Sequence, residues 1–234
     1  MLSVFIDELG VGFYDYIQPA SEIMLSLTDY DSNDSIRQTA VSSLPDLIKV
    51  YKQRQGLCAD LVTLARHFQA NIDKAMKKET ETEVLISQVV AMKDIILELQ
   101  HPYLSGEEVG VMGEQCLTII EKSLKRIDEI EECKKEAPED EDSALDEEDL
   151  NMLKEEGKDE YDLQIATAEL IGALFKTHKQ FVQVLVGKLQ QDTLRAAFES
   201  GVQKRLKLGL FILDDMIEHL GPTYFSQQDF MVIV

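Results

Sequence analysis

Counting from Ile36, apolar residues fall at offsets 0, 4, 5, 8, 11 and 12: Ile36, Ala40, Val41, Leu44, Leu47 and Ile48. Such steps place side chains on one face of an α-helix. The same offsets from Val84 give Gln88, Val89, Met92, Ile95 and Ile96, with Gln88 the polar exception. From Leu163 they give Thr167, Ala168, Ile171, Leu174 and Phe175. From Val202 the register is looser, with Leu206, Leu210, Leu213 and Ile217 as the expected stripe. Strand-like alternation is hard to find, and the pattern predicts an all-α chain.

A second apolar helix precedes each of these. Tyr16, Ile23, Met24 and Leu27 mark the first, and Leu57, Leu61, Leu64, Phe68, Ile72 and Met76 the second. Val111, Met112, Cys116, Ile119, Ile120 and Ile127 mark the third; Phe181, Leu185 and Leu189 mark the fourth. The step is 48 from Ile36 to Val84 and 39 from Leu163 to Val202. The gap from Val84 to Leu163 is 79, about one repeat plus an insertion. Helix pairs at this period are the signature of HEAT or armadillo repeats. The expectation is one HEAT-repeat α-solenoid over residues 1–234, of about four to five pairs, each burying its face on its neighbours.

The stretch DYDSNDSIRQTA, residues 29–40, resembles the first half of an EF-hand loop, with oxygen ligands at Asp29, Asp31 and Asn33. Such a loop needs glycine at its sixth position and a bidentate glutamate at its twelfth. Asp34 and Ala40 stand there, so the stretch reads as a turn in which Asp34 or Ser35 caps the helix beginning at Ile36. Pro45 inside that helix predicts a kink near residues 41–45. Pro19 fits a first helical turn, where proline is tolerated.

Charge changes the picture. The formal net charge is −21. Residues 128–162 hold 18 acids against 4 lysines, a net of −14 and two-thirds of the excess. Charge this dense resists compaction, so residues 134–157 are expected to form an acidic flexible insertion, bracketed by Pro138 and Gly157. The surface repels nucleic acid and anionic membrane and attracts basic partners. Cys58, Cys116 and Cys133 are odd in number and scattered, which fits a reducing compartment rather than a disulfide framework. No apolar run approaches the roughly 20 residues of a membrane helix.

Catalytic patterns do not emerge. His67, His101, His178 and His219 stand apart in sequence, with no zinc spacing. Neither a nucleophile elbow nor a phosphate loop is found. Gly10, Gly12, Gly110 and Gly113 are read as turns beside helix starts. Asp214, Asp215 and Glu218 cluster on one helix, where a solvated acidic strip is the ordinary explanation. A non-enzymatic role without cofactor or metal is expected.

The stretch LGLFILDDMIEHLGPTYF, residues 208–225, resembles a segment of the importin-β (karyopherin-β) family, specifically its importin-β3 branch. The matching residues are Gly209, Leu210, Asp214, Asp215, Glu218 and His219. Leu208 and Leu213 stand where the branch has Trp and Phe. The order of features also agrees: Glu8-Leu9, Gly12-Phe13 and Tyr16, then Ile36-Arg37, Ala40 and Pro45, then an acidic insertion before a helix over Tyr161–His178.

The resemblance implies a nuclear transport receptor shuttling between cytoplasm and nucleus. It would bind basic cargo, such as ribosomal proteins or histones bearing nuclear-localisation signals, and Phe-Gly nucleoporins, with Ran-GTP competing for cargo. Receptors of this family are several times longer, so the chain reads as a fragment from the middle-to-late part of one. The expected cargo contacts are Asp214, Asp215 and Glu218, with Glu139, Asp140, Glu141, Asp142, Asp146, Glu147, Glu148 and Asp149 of the acidic insertion as auxiliaries. The alternative is a HEAT scaffold outside transport, such as a phosphatase or kinase assembly platform.

Overall fold

The computed structural model describes residues 2–136 and 147–221. Their helices, in chain order, are α1 (Leu2–Leu9), α2 (Ile17–Leu27), α3 (Asp34–Gln55), α4 (Ala59–Met76), α5 (Thr82–Leu99) and α6 (Gly106–Glu136), then α7 (Glu147–Thr177), α8 (Gln183–Lys188), α9 (Arg195–Glu199) and α10 (Gln203–Leu220). A 3₁₀ segment (Gly10–Tyr16) joins α1 to α2, and a wide π turn (Leu189–Leu194) joins α8 to α9.

Two layers result. α3, α5, α7 and α10 pack each on the next, while α2 lies on α3, α4 against α3 and α5, α6 on α7, and α9 on α10. The four helices read from the repeat offsets are therefore equivalent members of one layer. Ala40, Val41, Leu44, Leu47 and Ile48 are buried on α3, although Ile36 is 37% exposed. Every offset position from Val84 and from Leu163 is buried.

In α10 the looser register misplaces the face. Val202 is the N-cap residue, and Leu206, Leu210 and Ile217 are exposed. The buried stripe is Leu208, Ile212, Met216 and Leu220, joined by Leu213. Two apolar stripes run along this helix, and packing on α7 chooses one. Exposed apolar side chains include Val4 and Phe5 of α1, Val111 of α6, Met152 of α7 and Leu206 and Leu210 of α10.

Helix ends follow local chemistry. Asn33, not Asp34 or Ser35, caps α3, its Oδ1 accepting from the Ile36 N–H at 3.1 Å. Asp34 begins the helix and pairs with Arg37 at 2.8 Å. Asn33 and Asp34 are thus engaged at the helix start, and Asp29 pairs with Lys78 at 3.3 Å. α3 continues through Pro45 to Gly56, whose φ of +70° suits a residue without Cβ. Ser105 and Glu108 form a reciprocal capping box at α6: the Glu108 N–H donates to Ser105 Oγ at 3.2 Å, and the Ser105 N–H to Glu108 Oε2 at 2.7 Å.

The acidic insertion is shorter than charge density suggested. α6 runs to Glu136 and α7 starts at Glu147, so residues 134–136 and 147–157 are helical. Gly157 is buried, with Ile130 Cγ2 at 4.0 Å from where its Cβ would stand. Helix-on-helix packing outweighs repulsion there because one face of the acidic stretch meets α6 while its charges reach solvent. Gly110 and Gly113 also lie inside α6 rather than in turns, and a Cβ at Gly113 would meet Leu185 Cδ1 at 3.1 Å. Glycine lets α8 approach.

Two polar clasps join the layers, the first nearly buried and the second closed by a half-exposed arginine. Arg37 of α3 donates to both carboxylate oxygens of Glu79, at 2.9 and 3.0 Å, and to the Tyr30 carbonyl at 3.0 Å. One repeat later, Arg126 of α6 donates to both oxygens of Glu160 of α7, at 2.6 and 2.9 Å, and Thr82 of α5 donates to Glu160 at 2.9 Å.

Candidate functional site

The layer of α3, α5, α7 and α10 presents a ridge of carboxylates, Asp46, Asp94, Glu169 and Asp215, one from each helix. All four are half-buried. Burial pushes the carboxyls of Asp46, Asp94 and Asp215 above the ordinary range, and neighbours on the ridge add to it. Asp94 acts on Asp46, Glu169 on Asp94, and Glu169 on Asp215. The charges of Asp46, Asp94 and Asp215 are thus held where water stabilises them less and their neighbours disfavour them.

Lysines relieve part of this charge. Lys93 reaches Glu169 at 2.7 Å and Asp94 at 3.6 Å, Lys49 reaches Asp7 at 3.1 Å, and Lys52 reaches Glu98 at 3.3 Å. Ser3 hydrogen-bonds the Asp46 carboxylate and partly offsets its rise. Asp215 has His219 nearby, and its carboxylate lies against Gly172 of α7, where a Cβ would collide with Oδ2. Glycine at that point is what admits the carboxylate between the helices.

The expected contact residues divide. Asp215 belongs to the ridge; Asp214 and Glu218 are exposed beside it. Glu139, Asp140, Glu141, Asp142 and Asp146 lie outside the described residues. Glu147 opens α7, and Glu148 and Asp149 are exposed in its first turn. Gly172, which marks the level of Asp215, lies near the other end of α7 from Glu148. At the helical rise the two are separated by about 36 Å along the axis, so the two groups do not form one site.

A separate acidic cleft of about 480 Å³ opens where the start of α5 meets α6 and α7. Asp34, Glu81, Glu83, Glu129, Glu156 and Asp159 line it, and its lining cation, Arg126, is already held by Glu160. Burial first, then Glu83, raises the Asp159 carboxyl. Asp46, Asp94 and Glu169 were missed from the sequence, yet Asp46 and Asp94 repeat the spacing of Ile36 and Val84. Reading the polar positions at the repeat spacing would have found that pair.

On the other layer, α4 and α6 flank two adjoining depressions of about 560 and 290 Å³ that share Val111 and Gln115. Met76, Leu85 and Ile119 supply apolar surface to the larger, and Met92, Leu104 and Met112 to the smaller. Among the described residues, no group of three or more His, Cys, Asp or Glu side chains is placed to hold a metal ion.

No protein-family model matches the chain. Among solved structures it is similar to the karyopherin Kap121p, seen in a crystal structure bound to the SUMO protease Ulp1p. The TM-score is 0.74 at 15% sequence identity, over 93% of this chain and 19% of that one. The chain therefore spans about a fifth of that karyopherin's length. The fold is an importin-β-like HEAT-repeat solenoid.

Proposed function

We propose that this chain is a segment of a nuclear transport receptor of the importin-β3 branch, and that its ridge binds lysine- and arginine-rich segments of cargo. The observation that carries this reading is the run of half-buried, mutually unfavourable carboxylates on successive helices of one layer. An incoming cation restores to each what burial and its neighbours removed, and the exchange is reversible because the groups stay partly hydrated. The likeness to a karyopherin bound to another protein adds support. Ribosomal proteins and histones have the required charge. In this reading the apolar depressions between α4 and α6 take Phe-Gly segments of nucleoporins, the whole receptor shuttles between cytoplasm and nucleus, and Ran-GTP displaces the cargo.

The test is fluorescence anisotropy with a labelled lysine-rich localisation peptide, titrated at low and raised salt. Binding weakens as salt rises, because exposed charge pairs are screened. The triple variant D46N/D94N/D215N keeps side-chain shape and binds about tenfold more weakly, from roughly 0.5 kcal/mol per half-exposed pair. Absence of binding at low salt overturns the proposal.

A further inference from the structure

We infer that Lys93 is a resident occupant of the acidic ridge: its ammonium closes the middle, between Asp94 and Glu169, and leaves Asp46 and Asp215 at the two ends to receive the cations of a bound segment. This rests on the reading of the ridge as a surface for basic segments and adds the spacing that it selects.

Lys93 lies on α5, and its ammonium meets Glu169 of α7 at 2.7 Å and Asp94 at 3.6 Å. Its side chain is 18% exposed, against 67% for Lys125, an ordinary surface lysine of α6. Burial works against the Lys93 charge, yet the two carboxylates outweigh it and hold the ammonium above the usual lysine range. One lysine thus cancels one of the two central negative charges. It also stands where an incoming ammonium would have to sit to reach both carboxylates, so a second cation there meets like charge at close range.

The ends of the ridge differ from its middle. At Asp46, Lys49 is bound to Asp7 at 3.1 Å, and Asp7 disfavours the Asp46 charge more than Lys49 favours it. At Asp215, His219 favours the charge while Asp214, Glu218 and Glu169 oppose it. Three helix-to-helix steps of about 8–10 Å separate these ends, about 24–30 Å in all. An extended chain rising about 3.3 Å per residue crosses that distance in about eight residues.

Two labelled peptides of equal length and charge test this by fluorescence anisotropy at low salt. Each carries two Lys-Lys pairs in a Gly-Ser background, set about eight residues apart in one and about four in the other. The wild-type chain is expected to bind the wider-spaced peptide about threefold more tightly, the worth of one half-exposed ion pair. K93M keeps the unbranched stem and removes the charge. Checked for native helicity by circular dichroism, it is expected to bind both peptides alike, whereas K93R keeps the preference. The ratio of the two affinities cancels the general effect of net charge, which K125M, away from the ridge, shifts for both peptides together. Equal wild-type affinities, or a preference that K93M leaves unchanged, overturn the role of Lys93 while the basic-segment reading stands. Binding of neither peptide by the wild-type chain overturns that reading itself. The wild-type comparison needs no variant, so a poorly folding K93M leaves the test intact.

Discussion

Gln88 occupies the position on α5 that Ala40 and Thr167 occupy on α3 and α7. It is fully buried, and both polar atoms of its amide lack partners. Thr167 at the equivalent place donates to the Leu163 carbonyl at 2.7 Å, and Ala40 has no polar atom to satisfy. Replacing Gln88 by Met keeps a similar unbranched shape and removes the amide. The gain is the desolvation cost of an unpaired buried group, about 1–3 kcal/mol, less a repacking cost below about 1.5 kcal/mol. A net gain of about 1 kcal/mol raises the melting temperature by roughly 2–4 °C in a chain of this size. Thermal unfolding followed by circular dichroism at 222 nm, with urea midpoints as a second measure, reads the shift. A lower melting temperature for Gln88→Met refutes the reasoning, because it shows that the amide is satisfied in the folded chain.

Arg37 and Glu79 are nearly buried together, so Arg37→Met strands a carboxylate and is expected to cost about 3–5 kcal/mol, measured by urea denaturation. His178 is fully buried; its Nε2 accepts from the Leu104 N–H at 3.2 Å, and its Nδ1–H donates to Thr177 Oγ1 at 2.7 Å. Burial lowers its pKa to about 4. The folded value lies below the ordinary 6.5, so the unfolded chain takes up the proton first. The contribution, on the order of 3 kcal/mol, is complete above pH 6.5 and lost as pH falls through about 4. Stability of His178→Gln, measured from pH 7 to 4.5, should fall less steeply than wild type. Gly172→Ala forces the Asp215 carboxylate toward water. Its pKa, followed by NMR titration of the side-chain carbon, should then drop toward the ordinary value; an unchanged value refutes the close approach.

The helical period and the recurrence of the Ile36 pattern at Val84 and Leu163 were enough to define an all-α repeat and to place α3, α5 and α7, because an apolar face is a local property that each helix carries with it. Other features depend on what a residue meets across an interface. The acidic stretch before Tyr161 reads as loop when charge alone is weighed, and becomes helix once Ile130 of α6 lies against Gly157. α10 carries two apolar stripes, and only its packing on α7 decides which is core. Asp46, Asp94, Glu169 and Asp215 are ordinary acids in four separate segments until stacking brings them to one ridge and removes part of their water.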